Sequence, residues 1–208
     1  EYETIYETYG VTPIQHLYNL QFLGRKTGIP HAHFIAGYSE ATVGTGDDIG
    51  LLKETGTTVI HCPLIISRHA SALESFAKYK GAGINMAIGT DTFPPDIFQN
   101  VRTGSTFSKY IEKETEGSTF ADLYRAATLG GARFLGRDDL GRLAIGAKAD
   151  IIAIDLDGFH MGIVDDPIRT MFLSGSGRDV KLSIINGKVV MKDQFIPELD
   201  FVSLKEKG

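Results

Sequence analysis

Apolar positions along the 208-residue chain fall into two regimes. Up to about residue 140, short near-continuous apolar runs alternate with longer stretches in which apolar residues recur at helical spacing. "EYETIYETYG" and "TPIQHLYNLQFLG" predict helices, with Thr12 as N-cap and Pro13 at the first helical position. "HAHFIAG" follows Gly28 and Pro30 and predicts a short strand. "DDIGLLKETG" predicts a helix with acidic residues in its first turn and Gly56 just past its end. "TTVIHCPL" is a β-branched strand stopped by Pro63, "SALESFAKYKGAG" a helix, and "INMAIGTD" the next buried strand. Near-continuous apolar strands imply a parallel sheet covered on both faces. Their starts near residues 31, 57 and 84 lie roughly 26 apart, within the ~30 residues of a repeated βα unit, with no matching sequence repeat.

Two longer helices are predicted next, in "PDIFQNVRTGSTFSKYIEKE" and "TFADLYRAATLGGARFLG". Beyond residue 140 the pattern changes. "GRLAIGAKADIIAIDLDG" and "VKLSIINGKVVMKDQF" read as strands separated by glycine-containing turns, and Asn186-Gly187 is a hairpin signal. The expected organisation is a βα-repeat part over residues 1–140 and a small β appendage with a frayed tail, "SLKEKG", over 141–208.

Composition narrows the class. A formal net charge of −5 argues against nucleic acid or an acidic membrane surface as partner. No apolar run approaches the ~18 residues that span a bilayer, and the first residues lack a basic-then-apolar leader. Cys62 is the only cysteine, so neither a disulfide framework nor a paired-cysteine zinc site is available, and a cytoplasmic setting is expected.

The sharpest chemical stretch is "AIGTDTFPPD", where an apolar strand ends in Gly-Thr-Asp. Asp91 then sits at the carboxyl end of its strand, which in a (β/α)₈ barrel is the catalytic face. A carboxylate there can bind a metal and accept a proton from water, or simply cap the following helix. His33 lies on one earlier strand and His61-Cys62-Pro63 ends the next, so three consecutive strands bring polar groups to one rim. In "PHAHF", His31 and His33 at i, i+2 on a strand would share a face, the arrangement of a paired metal site. Glycine-rich "VGTGDDIG" lacks the Lys-Ser/Thr of a phosphate loop and reads as a flexible rim loop. Cys62 reads as a buried structural thiol, because His61 beside it on a strand faces the other way. The paired acids of "RDDLGR" and "VDDPIR" read as surface turns and ion pairs.

Taken in order, "PHAHF", "VIHCPLIISRHASAL", "AGINMAIGTDTFPPD", "AATLGGARFLGRDDLGRLAIGAKADIIAID" and "INGKVV" resemble the C-terminal portion of the amidohydrolase superfamily. The likeness is to its cytosine-deaminase-like and triazine-hydrolase-like branch of aminohydrolases and chlorohydrolases. It implies strands 6–8 of a metal-dependent (β/α)₈ TIM barrel, followed by the C-terminal part of a small β-sandwich. Asp91 follows His33 by 58 residues, about two βα units, so the resemblance makes "HAHF" strand 6 rather than the metal-binding pair of strand 1. On that alignment His33 is the residue that orients water or substrate, and His31 is packed or hydrogen-bonded deeper in the barrel. Asp91 matches the strand-8 aspartate, a metal ligand and proton shuttle. His61, Arg68 and His69 would line the substrate pocket, although "PLIISRH" stands where relatives often carry Ser-Asn.

The implied cofactor is one divalent metal, zinc or else iron. The implied reaction is hydrolysis of a carbon–nitrogen or carbon–halogen bond of a small nitrogen heterocycle by metal-activated water, in an enzyme that is often a homo-oligomer. The strand-1 pair, the strand-5 histidine and the proton-shuttling acid would lie upstream, so the chain, which starts at Glu1, is expected to be part of a longer enzyme. The competing expectations are an inactive scaffold or fragment of the same fold and, from "VGTGDDIG", a nucleotide-binding module.

Overall fold

A computed structural model describes residues 2–39, 41–197, 199–200 and 203–204; the "SLKEKG" tail lies outside the described residues from position 205 onward. The chain divides into two compact units, Glu1–Arg142 and Leu143–Gly208.

The first unit is built on a three-stranded parallel sheet of order β1 (Gly28–Pro30), β2 (Thr58–His61), β3 (Met86–Ile88). Its register pairs Ile29 with Val59 and Val59 with Met86. Helices α1 (Tyr2–Tyr9) and α2 (Pro13–Asn19) precede β1, and α3 (Asp48–Thr55) joins β1 to β2. Helices α4 (Pro63–Arg68) and α5 (Phe76–Gly81) join β2 to β3, and α6 (Ile97–Glu112), α7 (Phe120–Arg125) and α8 (Gly131–Phe134) follow. Parallel neighbours need such crossovers, so the βα spacing and the sheet are one observation. Tyr79, Phe76, Leu52, Leu123, Val59 and Val101 are among the large, fully buried side chains that close this core.

Local chemistry sets the helix ends. The Thr12 hydroxyl accepts from the Gln15 amide while the Gln15 side chain accepts from the Thr12 amide, a reciprocal cap that starts α2. Asp47 caps α3 through the Gly50 amide, and Gly56 ends it in the left-handed region at φ 70°. Helix α2 stops at Asn19, earlier than the apolar pattern extends, because Gln21 already turns left-handed at φ 57°. Helix α4 adds an element to those expected, with Pro63 at its first position as its start signal.

Two differences matter for the site. The strand expected over "HAHFIAG" ends at Pro30, before the histidines, because His31 (φ 63°) and Ala32 (φ 48°) are left-handed and break the pleat. Between α7 and α8 the chain widens into a π-helical turn, Ala126–Gly130, which lies against β3. A Cβ on Gly130 would sit 1.9 Å from the Met86 carbonyl oxygen, so glycine is what lets this turn approach the strand.

The second unit is a three-stranded antiparallel sheet of order β4 (Ile151–Ile154), β5 (Val180–Ile185), β6 (Lys188–Lys192), with α9 (Pro167–Ser174) between β4 and β5. Asn186 and Gly187 both have positive φ, 48° and 81°, as a two-residue hairpin turn requires. The acids of "VDDPIR" cap and flank α9: Asp166 accepts from the Ile168 and Arg169 amides, and exposed Asp165 pairs with Arg169.

Adjacent glycines offer a sharp test of the π-turn. Gly130→Ala drives a methyl into backbone and is expected to cost about 2 kcal/mol or more of stability. Gly131→Ala meets nothing within 4 Å and is expected to be neutral or to stabilise by about 0.5–1 kcal/mol. Urea unfolding midpoints of the two variants measure the difference; equal midpoints would remove the close approach as the reason for Gly130.

Candidate active site

Because β1, β2 and β3 are parallel and in register, the residues that follow them emerge at one rim. The ladder continues one step past the named strands: the His31 amide donates to the Ile60 carbonyl at 2.8 Å and the Gly89 amide to the His61 carbonyl at 3.0 Å. From these pinned positions the chain turns sharply. His31, Ala32 and, after β3, Asp91 (φ 44°) all occupy the left-handed region that L-residues avoid. Such backbone costs on the order of 1–3 kcal/mol per residue and clusters where a side chain has to be aimed.

What it aims here is one contact. His31 Nε2 lies 3.2 Å from Asp91 Oδ2, across 60 residues of sequence. The His31 side chain is largely enclosed at 23% exposure, whereas Asp91 is open at 62%, so the carboxylate is reachable from solvent. His31 Nδ1 is buried and has no hydrogen-bond partner among the described residues. The His33 ring stands 6.0 Å from that of His31 in an edge-on arrangement and packs on Phe34 at 4.1 Å. Both histidines face a cavity of about 520 Å³ whose other walls include Tyr2, Ile5 and Phe34. The histidine that meets Asp91 in the structure is therefore His31, at the rim rather than deeper in the sheet.

The three residues expected around the substrate are placed differently from one another. His61 is 2% exposed, its ring 6.2 Å from Phe76 of α5 and its Nε2 3.5 Å from where a Cβ on Gly104 of α6 would be. Burial, with a smaller contribution from the positive potential of His31 and His33, lowers its pKa to about 3, so it is a neutral ring. Arg68, at the end of α4, donates to Thr92 Oγ1 at 2.8 Å and to the Phe93 carbonyl at 2.7 Å. It therefore braces the loop that carries Asp91. His69 is exposed, with Nδ1 3.0 Å from the Ile65 carbonyl of its own helix. Cys62 is buried, and burial together with the nearby Asp91 charge pushes its thiol up to about 11, which makes it a poor nucleophile.

The donor set can be tested against a metal directly. Among the described residues no three His, Cys, Asp or Glu side chains come together in a geometry that could hold an ion. His31 and Asp91 are two potential donors where a catalytic zinc takes three protein ligands, so the described residues do not by themselves complete such a site.

Comparison with known proteins places this architecture. The amidohydrolase family model matches residues 2–190, and the chain belongs to that family. It is 28% identical, over 100% of its length, to a 5-methylthioadenosine/S-adenosylhomocysteine deaminase of Halobacterium salinarum. It is 31% identical over 96% of its length to the enzyme of that description from Caldanaerobacter subterraneus subsp. tengcongensis. Among solved structures, an adenosine deaminase from Xanthomonas campestris with bound zinc superimposes with a TM-score of 0.88 at 26% identity, covering 100% of this chain and 46% of that one. An atrazine chlorohydrolase from Arthrobacter aurescens TC1 complexed with zinc has the same fold, with a TM-score of 0.82 at 23% identity, covering 99% of this chain and 45% of that one. The fold is thus that of part of an amidohydrolase (β/α)₈ barrel with its β appendage. The chain spans about half the length of the curated relatives it matches, 47% and 45% of the two deaminases.

The buried neutral His61 has a pH consequence. An unfolded imidazole takes up its proton near 6.5, whereas the folded ring resists protonation down to about 3. The resulting stability is complete above about pH 6.5 and is lost progressively as pH falls toward 3. The urea midpoint is expected to drop between about pH 7 and pH 4.5, and His61→Asn to remove part of that drop. Equal drops in the two proteins would show that His61 is already solvated in the fold.

Proposed function

We propose that this chain supplies the aspartate and histidine of a metal-dependent hydrolase that removes an amino group, or a halide, from a small nitrogen heterocycle. The single observation that carries this is the His31–Asp91 contact at the carboxyl ends of β1 and β3. Family membership and the names of the relatives supply the reaction class. The relatives named for zinc make a divalent cation the expected cofactor, with zinc ahead of iron. When bound, such an ion acidifies a water molecule enough for attack at neutral pH. Asp91 would be one donor toward it, and further donors are needed beyond those the described residues bring together.

The roles of this chain's own groups follow from placement. Asp91 is exposed and acceptor-only when ionised, so it can take a proton from the attacking water and release it to a departing amine, whereas a halide leaves as the anion and the proton passes to solvent. His31, held 3.2 Å from that carboxylate, orients it through Nε2. His33 forms a second wall of the cavity, and Arg68 keeps the Asp91 loop in place from outside. His61 supports the rim from the helix-packed side of β2. An assembly scaffold has no use for a reachable aspartate on strained backbone, and "VGTGDDIG" runs into a helix capped by Asp47, whose carboxylate occupies the amide a phosphate would want.

Activity of the complete protein that carries this chain, loaded with zinc, tests the reading. A panel of amino- and chloro-substituted purines, pyrimidines and triazines is expected to release ammonia or chloride from at least one member. Asp91→Asn is expected to lower kcat by about 10²–10⁴-fold with the fold intact by circular dichroism. Retention of activity within a few-fold would refute the role of Asp91. His31→Asn should lose more than His33→Asn; the reverse order would return the orienting role to His33.

A further inference from the structure

The His31 side chain meets Asp91 only because the backbone at His31 and Ala32 is left-handed, and something has to hold it there. Ala32 is 7% exposed, and its own amide is used locally, donating to the Pro30 carbonyl at 2.7 Å. Its carbonyl has one long-range partner. The Tyr79 hydroxyl, from α5 and 47 residues away, donates to Ala32 O in a buried hydrogen bond. Tyr79 is 0% exposed and its ring packs edge-on against Tyr38 at 5.7 Å, the Tyr38 side chain being the other polar neighbour of its hydroxyl. Burial also pushes its phenol well above the ordinary range, which keeps it an O–H donor. The chain just beyond is fastened separately: the Ala36 amide donates to Asp48 Oδ2 at 2.8 Å, and Asp48 is itself buried and bonded to Thr12. The turn of residues 31–34 is thus pinned on one side by the β2 ladder, on the other by Asp48, and in its middle by Tyr79.

We propose that Tyr79 is a positioning residue: by holding the Ala32 carbonyl, its hydroxyl keeps His31 and Ala32 left-handed and so keeps the His31 ring aimed at Asp91. Its consequence for turnover rests on the roles proposed above for His31 and Asp91; its structural content does not. Without the hydroxyl, a buried carbonyl loses its donor and the left-handed pair loses the contact that offsets its strain. The turn then relaxes and His31 swings away from the carboxylate.

The test is Tyr79→Phe in the complete protein, which keeps the ring and removes one oxygen. Its crystal structure is expected to show His31 Nε2 beyond hydrogen-bond reach of Asp91 Oδ2, with His31 and Ala32 returned to negative φ. In turnover, kcat is expected to fall tenfold or more with KM within about twofold, as for a misplaced catalytic group. Val101→Ala, a buried truncation on α6, serves as the control for lost stability and is expected to keep kcat. An intact His31–Asp91 contact in Tyr79→Phe overturns the proposal, and so does an equal loss of kcat in Val101→Ala. If the unmodified protein hydrolyses nothing in the panel, the functional reading fails, and the crystallographic comparison alone decides the role of Tyr79. Where Tyr79→Phe does not fold, the double variant Tyr79→Phe/Ala32→Gly takes its place, since glycine accepts the left-handed region freely. Folded protein with the His31–Asp91 contact restored supports the proposal; failure to restore it overturns it.

Discussion

Parallel pairing with a common register is the constraint on which the rest of the first unit depends. It brings the ends of β1, β2 and β3 to one level and pins the next backbone groups, the His31 amide on Ile60 and the Gly89 amide on His61, before the chain is free to turn. The left-handed residues His31, Ala32 and Asp91 come immediately after those pins. Strain of that kind persists only when the surroundings over-determine it. Here the ladder, the buried Tyr79 hydroxyl and the Arg68 brace on Thr92 and Phe93 are the surroundings that do so. The helices matter for function chiefly through these reaches: α5 and α4 each send one side chain back to the rim.

This arrangement also sets four histidines and a cysteine in different surroundings. His31 and His33 face the cavity, His61 is sealed against α5 and α6, His69 decorates a helix end, and Cys62 is buried beside β3. Burial decides the chemistry of each. It leaves His61 neutral and the Cys62 thiol protonated at neutral pH. The chain is a member of the amidohydrolase family at about half the length of its curated relatives, and at its rim His31 and Asp91 converge.

Much of the fold was legible because it is written in local signals. Thr12 with Gln15, Asp47 with Gly56, and Asn186 with Gly187 each specify their own turn or cap through short-range hydrogen bonds and φ preferences. Asp91 was legible because an apolar strand ending in Gly-Thr-Asp leaves the carboxylate at the strand's carboxyl end. Helix α4 is announced in the sequence only by Pro63, and the π-helical turn leaves only a Gly-Gly pair as its trace. The partner of Asp91 was not legible. Strict alternation along "HAHF" presumes a continuing strand, and two left-handed residues cancel the alternation without any glycine to announce them.

The sequence by itself determined the βα alternation, the class of the second unit, the absence of a disulfide framework, and the family, since each rests on residue type and short-range spacing. Tertiary structure alone decided which histidine meets Asp91, which titratable groups are sealed from water, and that Tyr79 reaches across 47 residues to hold Ala32. The physical reason is the same in each case. A side chain's direction is set by the backbone angles of one or two residues, and at this rim those angles are imposed by partners distant in sequence, which no local pattern records.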